Sequence, residues 1–122
     1  MAKSYIFRIN PLPAPRMTRA DRWKKRPCVL AYFAWKDEIK RLAKGLKYEL
    51  TPVLDIVFIV PMADSWSPKK KALMDGEPHQ QRPDRDNYLK AFQDAFDADD
   101  SFVWDGRTTK IWGYEGQIHV KK

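Results

Sequence analysis

The segment Arg82-Pro83-Asp84-Arg85-Asp86-Asn87-Tyr88-Leu89-Lys90 sets two carboxylates two residues apart where a proline-restricted loop enters a helix, with a lysine one turn beyond the second. Asp99 and Asp100 follow the same helix. Hard divalent cations such as Mg²⁺ take oxygen ligands, usually one or two carboxylates completed by waters and substrate phosphate oxygens. A small aspartate cluster on two loops suits such an ion, whereas three aspartates and no second histidine or cysteine argue against zinc. A cation held there reverses the local repulsion toward phosphate, activates a water and stabilises the charge that builds on phosphorus oxygens during in-line attack. The same residues have plainer uses. Asp84 ahead of a helical run accepts bonds from free amides, Asp86 in the first turn suits the helix dipole, Lys90 is an (i, i+4) partner of Asp86, and Asp99-Asp100 is a surface turn. Spacing alone leaves both readings open. His79 and His119 stand isolated and read as structural or surface residues, and Cys28 carries no sign of activation.

The charge distribution bears on the choice. The chain has 23 basic and 16 acidic residues, a net +7. Residues 1–50 hold 13 basic against 4 acidic side chains, and residues 51–122 hold 10 against 12. Within the second part, Arg82 to Asp105 contains seven aspartates against Arg82, Arg85 and Lys90, a balance of −4. A positive field favours phosphate polymers or anionic surfaces as partners. Carboxylates near a polyanion repel it unless a cation sits between them. An acidic island inside a basic chain therefore points to a cation site on a phosphate-binding surface.

The elements that must hold this island follow from hydrophobic pattern. Tyr5, Phe7 and Ile9 alternate with polar residues as in a half-buried strand, which Pro11, Pro13 and Pro15 stop. Arg16 to Arg26 has six basic residues, only Asp21 against them and no apolar period, and reads as a loop. Tyr32, Trp35, Ile39, Leu42 and Leu46 recur at helical spacing, so an amphipathic helix ends near Gly45. Val53 to Val60, nearly all apolar and closed by Pro61, predicts a mid-sheet strand buried on both faces. Ser67-Pro68 opens a short helix that stops at Asp75-Gly76. A second amphipathic helix runs from about Asp86 to Asp97, with Leu89, Phe92 and Phe96 on its buried stripe. Trp104 to Trp112 and Gln117 to Val120 read as strands around the turn Gly113-Tyr114-Glu115-Gly116. The order β-α-β-α-α-β-β predicts an α+β fold, one mixed β-sheet with two long helices packed on it.

A chain of 122 residues, 43% hydrophobic, is read as a single small domain over residues 1–122. Apolar runs such as Ile56 to Val60 fall well short of the roughly 20 residues of a spanning helix, so no membrane partner is expected. The start MAKSYIFRIN lacks the apolar stretch of a signal peptide, and the single Cys28 suits a reducing compartment, here the cytoplasm.

Several of these residues together resemble a known family. Gly76-Glu77-Pro78-His79, then Arg82-Pro83-Asp84-Arg85-Asp86-Asn87-Tyr88-Leu89-Lys90-Ala91 with Asp94-Ala95, then Asp99-Asp100-Ser101, and finally Lys110 are similar to the RusA family of Holliday-junction resolvases. The likeness covers about residues 65 to 120, and Ser65-Trp66-Ser67-Pro68-Lys69-Lys70-Lys71 looks like that of phage and prophage members. It implies a small homodimeric endonuclease, dependent on Mg²⁺ or alternatively Mn²⁺, that resolves four-way DNA by paired symmetric nicks in recombination and repair, in a bacterial or phage-infected cytoplasm. Carried over by position, Asp84, Asp86 and Asp100 are the metal-binding carboxylates, with Asp99 as a helper, and Lys90 is the active-site lysine. Asn87 supports the ligands from behind, and Arg82 is a phosphate contact. The link from Asp86 to Asp100 is shorter than in several relatives, which makes Asp105 a competitor for the third ligand. Arg16, Arg19, Lys24, Lys25 and Arg26, with Lys69 and Lys70, would grip the junction arms through phosphate contacts. Two other readings use the same residues: a nuclease for flaps or forks, and a non-catalytic DNA-binding module whose aspartates only cap and solvate a helix.

Overall fold

Alternation along one central strand decides which face of the sheet is covered. In β2 (Val53–Pro61), Leu54, Ile56 and Phe58 are buried, while Asp55, Val57 and Ile59 on the opposite face remain half-buried. The expectation that this strand is buried on both faces is therefore corrected, because both helices that pack on the sheet lie on the side of Leu54, Ile56 and Phe58. The structure, a computed structural model, describes residues 4–15 and 27–121. The remaining elements are β1 (Ser4–Phe7), α1 (Pro27–Leu46), α2 (Pro68–Met74), α3 (Arg85–Asp94), β3 (Asp105–Gly113) and β4 (Gln117–Lys121). The sequence predicts this order, and the α+β class with a mixed sheet holds.

The four strands lie in the order β1-β4-β2-β3. β2 pairs in parallel with β3, from Val53 opposite Asp105 to Pro61 opposite Gly113, and antiparallel with β4; β4 pairs antiparallel with β1. The strands that flank the 113–116 turn are thus not neighbours, since β2 runs between them. Where β3 begins, Gly106 has φ +137° and a side chain there would meet the Leu54 carbonyl oxygen at 1.9 Å, so only glycine fits this close approach. β2 and β3 run parallel, so the chain between them must cross back over the sheet, and that crossing carries α2, α3 and both acidic loops.

Helix α1 spans 20 residues and buries Val29, Tyr32, Trp35, Ile39 and Ala43. The Trp35 indole donates to the Asn10 carbonyl at 2.8 Å, which fixes the chain leaving β1 against the helix. Helix α2 begins as its sequence predicts, with the Ser67 hydroxyl accepting from the Lys70 amide at 3.1 Å and Pro68 in the first turn, but it buries none of its residues. The expectation of two long helices is inexact: α3 covers 10 residues and ends at Asp94 rather than near Asp97. Asp97 takes φ 55°, a left-handed conformation that short polar residues tolerate and that turns the chain out of the helix. Tyr88, Ala91 and Phe92 of α3 join α1 and the covered face of the sheet in one core. No helix of the described residues is long and apolar enough to cross a membrane.

Phe92 is fully buried, with the rings of Phe7, Phe96 and Tyr48 at centroid distances of 5.4, 5.1 and 6.1 Å. Phe92→Ala empties the seam between α3 and the sheet and should lower unfolding free energy by about 3–5 kcal/mol in denaturant titrations. His79 is also buried, against Trp112 at 4.3 Å, and its Nδ1 has no hydrogen-bond partner among the described residues. Burial first, and then the charge of Lys110, hold its pKa below the ordinary histidine value. The unfolded chain then binds a proton more readily than the folded one, so this contribution to stability is complete above about pH 6.5 and is lost as pH falls through the folded value. Thermal melts between about pH 7 and pH 5 should lose less stability in His79→Phe than in the native chain.

Candidate active site

The loop that leads into α3 has few apolar side chains to hold it, and the edge of β3 fixes it instead. Backbone bonds run from the Gly76 amide to the Trp112 carbonyl at 2.9 Å, from the Trp112 amide to Glu77 at 3.0 Å and from the His79 amide to Lys110 at 3.1 Å. Beyond His79 the ladder gives way to a side chain. The Lys110 ammonium donates to the carbonyls of Gln81, at 2.5 Å, and Pro83, at 2.6 Å, on either side of Arg82. Burial lowers the pKa of Lys110, against an opposing pull from the Asp84 carboxylate. One residue further, the Arg85 guanidinium reaches the Thr108 carbonyl at 3.4 Å. The Arg82-Pro83 peptide bond is cis.

These ties deliver Asp84 to the N-cap position of α3, yet its side chain makes no capping bond. The Asn87 amide bonds the Asp84 carbonyl instead, at 3.1 Å. The carboxylates of Asp84 and of Asp86, in the first helical turn, both belong to exposed residues. Asn87 is exposed as well, and its carbonyl accepts from the Ala14 amide at 3.2 Å. Arg82, Asp84, Asn87, Pro13 and Pro83 line an open cleft of about 530 Å³.

At the other end of α3 the chain folds back. Asp99 accepts from the Ser101 amide at 2.9 Å and the Ser101 hydroxyl at 2.6 Å, and these bonds, side chain first, hold its carboxyl below the usual range. That turn sets Asp100 beside the helix, where its Oδ1 lies 3.4 Å from the Lys90 Nζ. The same ammonium lies 3.5 Å from Asp94 Oδ1. Partial burial pulls the Lys90 pKa down, but Asp94 and Asp100 outweigh it and hold the ammonium above the ordinary lysine value. Asp94, half-buried, accepts at Oδ2 from the buried Tyr32 hydroxyl at 2.7 Å.

The structure thus brings Lys90 and Asp100 together, and places Asp84 and Asp86 at the start of the same helix. Asp105, the competitor for the third ligand, opens β3 beside Trp104 and Leu89 in a separate hollow of about 260 Å³. Lys69 and Lys70 are exposed on α2, with the Lys70 ammonium 4.0 Å above the Trp66 ring. Arg16, Arg19, Lys24, Lys25 and Arg26 lie outside the described residues. Sequence pattern gives neither Tyr32 nor Asp94 a part in the site: Tyr32 enters only as a member of the apolar stripe of α1, and Asp94 only as part of the family likeness. The (i, i+4) step from Lys90 to Asp94 was a visible signal, but nothing local links either residue to Tyr32.

Among the described residues no three carboxylate, imidazole or thiol groups converge into a metal-holding cluster. The donors fit a hard cation in kind: exposed carboxylate oxygens on Asp84, Asp86 and Asp100, with no sulfur or imidazole among them. An ion that takes only one or two carboxylates before substrate supplies further oxygens does not require a preassembled cage.

Two comparisons with known proteins bear on this arrangement. The family model described as endodeoxyribonuclease RusA matches residues 9–121. No curated protein matches the chain. The match spans the loop, α3 and the Asp99-Asp100 turn, and also Lys110. Replacing Lys110 with Met leaves the Gln81 and Pro83 carbonyls without their donor. Lys110→Met should cost about 1–3 kcal/mol in thermal unfolding, with faster amide exchange across residues 81–86 than elsewhere in the chain.

Proposed function

Since the chain belongs to the RusA endodeoxyribonuclease family, we propose that it is a divalent-cation-dependent nuclease that resolves four-way DNA junctions by paired symmetric nicks, in recombination and repair. The observation that carries this reading is the return of Asp100 to 3.4 Å from Lys90, one turn beyond Asp86 on the helix that Asp84 and Asp86 begin. Asp84, Asp86, Lys90 and Asp100, each open to a plainer use as a cap, helix partner or turn residue, thus lie along or beside one helix, and Asp84 shares an open cleft with Arg82.

Asp84, Asp86 and Asp100 are the residues that would hold the cation, Mg²⁺ or Mn²⁺, and Asp99 shapes the turn that presents Asp100. When bound, the ion supplies an activated water and a positive charge for the phosphate oxygens. Lys90 directs its ammonium at the negative charge that develops on the phosphate or on the leaving oxygen. Arg82 contacts a flanking phosphate, and Asn87 keeps the first turn of α3 joined to the 11–15 segment through its carbonyl. Lys69 and Lys70, with Arg16, Arg19, Lys24, Lys25 and Arg26, grip the DNA arms through salt-sensitive contacts. The chain acts as one RusA-like domain over residues 1–122, in the cytoplasm, and two copies supply the two-fold symmetry that paired cuts require.

Native protein and Asp86→Asn are to be compared on a synthetic four-way junction, a fork, a flap and plain duplex, with Mg²⁺ and with chelator. The native chain should nick the junction fastest and only with the cation, and Asp86→Asn should bind but not cut. Lys90→Ala should slow cutting by about 10²–10³-fold with little change in junction affinity. Equal cutting by Asp86→Asn would sink the proposal, preference for flap or fork would reassign the substrate, and metal-independent binding without turnover would leave a DNA-binding module.

A further inference from the structure

Lysine is a poor choice for a fixed charge, because its four-carbon stem keeps many rotamers and its ammonium imposes no direction on its partners. Lys90 is half exposed, so the solvent does little to restrain it. Of its two carboxylate partners among the described residues, Asp100 sits on an exposed loop, with 76% of its side-chain surface open. Asp94 differs. Its side chain is 24% exposed, it lies four residues on along the same helix, and its second oxygen is taken by a hydroxyl from another helix. That hydroxyl belongs to Tyr32, which is 5% exposed, with its ring stacked on Trp35 at 6.4 Å in the core. Burial, together with Asp94 and Asp100, raises the Tyr32 pKa far above neutrality, so it remains a donor at any working pH.

From this geometry we infer that Tyr32 and Asp94 are positioning residues, an arm from α1 through α3 that holds the Lys90 ammonium over the cutting site. The functional part of the inference rests on the nuclease reading. Asp100 is among the residues that would hold the cation, and it would then be a weaker anchor for Lys90. Asp94 would remain to direct the ammonium, and the Tyr32 hydroxyl bond restrains Asp94 from rotating away. Neither residue touches the phosphate, so both act through Lys90. Tyr32→Phe removes one oxygen and leaves the ring in the core; Asp94→Asn keeps size and shape while removing the charge that Lys90 faces.

The arm is tested in two measurements on the full chain. The first needs no DNA: the side-chain ¹⁵N resonance of Lys90, assigned with Lys90→Arg, should shift and broaden in Tyr32→Phe and in Asp94→Asn. An unchanged resonance in both variants overturns the positioning role whatever the protein cuts. The second follows junction cleavage. Asp94→Asn should lower kcat about 10–100-fold and Tyr32→Phe about 3–10-fold, with KM unchanged. Neither substitution should slow a Lys90→Ala chain further, as expected of residues that act through that lysine. Losses of the same size with and without Lys90 overturn the inference and assign Tyr32 and Asp94 a merely structural role. If the native chain fails to cut any branched DNA, the nuclease reading falls while the resonance test still decides the arm.

Discussion

Carboxylates crowded into a short stretch of chain tolerate one another only when cations stand between them, and this constraint orders the acidic end of the molecule. Asp94 and Asp100 share the ammonium of Lys90. Asp97 meets Lys40 from α1 at 3.0 Å. Asp84 lies within electrostatic reach of Lys110 on β3. The lysines thus come from α3, α1 and β3, so the acidic loops keep their shape only if those elements are docked together. Each pair has at least one exposed member and taken alone contributes little to stability. Their effect is on conformation: they decide where the loop carboxylates face, and they lower the local repulsion that a phosphate backbone would otherwise meet.

The parallel pairing of β2 and β3 makes this docking possible. A parallel connection cannot be a tight turn, so 43 residues separate Pro61 from Asp105, and the chain uses them to lay a loop along β3, cross the sheet with α3 and return. The loop before α3 inherits the order of β3 through the bonds from Gly76 to Pro83. The turn after α3 inherits order from its own Asp99 and Ser101 bonds and from the Trp104 amide, which reaches the Pro52 carbonyl at 3.0 Å just ahead of β2. Both ends of α3 are thereby referenced to one strand pair. Tyr88, Ala91 and Phe92 fix the rotation of the helix about its axis, and with it the direction in which Asp86 and Lys90 face.

Local pattern was enough to read the seven elements in order, because each carries a strong period or a strong punctuation: the β-branched run of β2, the aromatic stripe of α1, Ser67-Pro68 at α2. Features that depend on distant parts of the chain were not legible. The short 113–116 turn suggests adjacent strands, yet β2 lies between β3 and β4, and nothing within the turn encodes that. The apolar run of β2 reads as doubly buried, but which faces are covered depends on where both helices pack. Asp84, Asp86, Lys90 and Asp100 could be picked out as a group because two of them lie in one helix, a third stands at its start and the fourth closely follows it. The tie from Tyr32 to Asp94 joins residues 62 apart, and the clamp of Lys110 on Gln81 and Pro83 spans 29 and 27 positions. Neither has a local signature.

The residue type at position 90 is itself informative. A guanidinium beside Asp94 and Asp100 would present a planar fork with five donors, able to bridge both carboxylates at once and hold them in a closed ion pair. Asp100 would then be withdrawn from any other cation. An ammonium is a compact point charge whose donors rotate freely, and at 3.4 and 3.5 Å it binds neither carboxylate tightly. It holds Asp94 and Asp100 without locking them to each other. Lys90 thus serves as the counter-ion of both carboxylates at once. Its two partners differ in restraint, one an exposed loop residue and the other a helical residue bonded to a buried tyrosine.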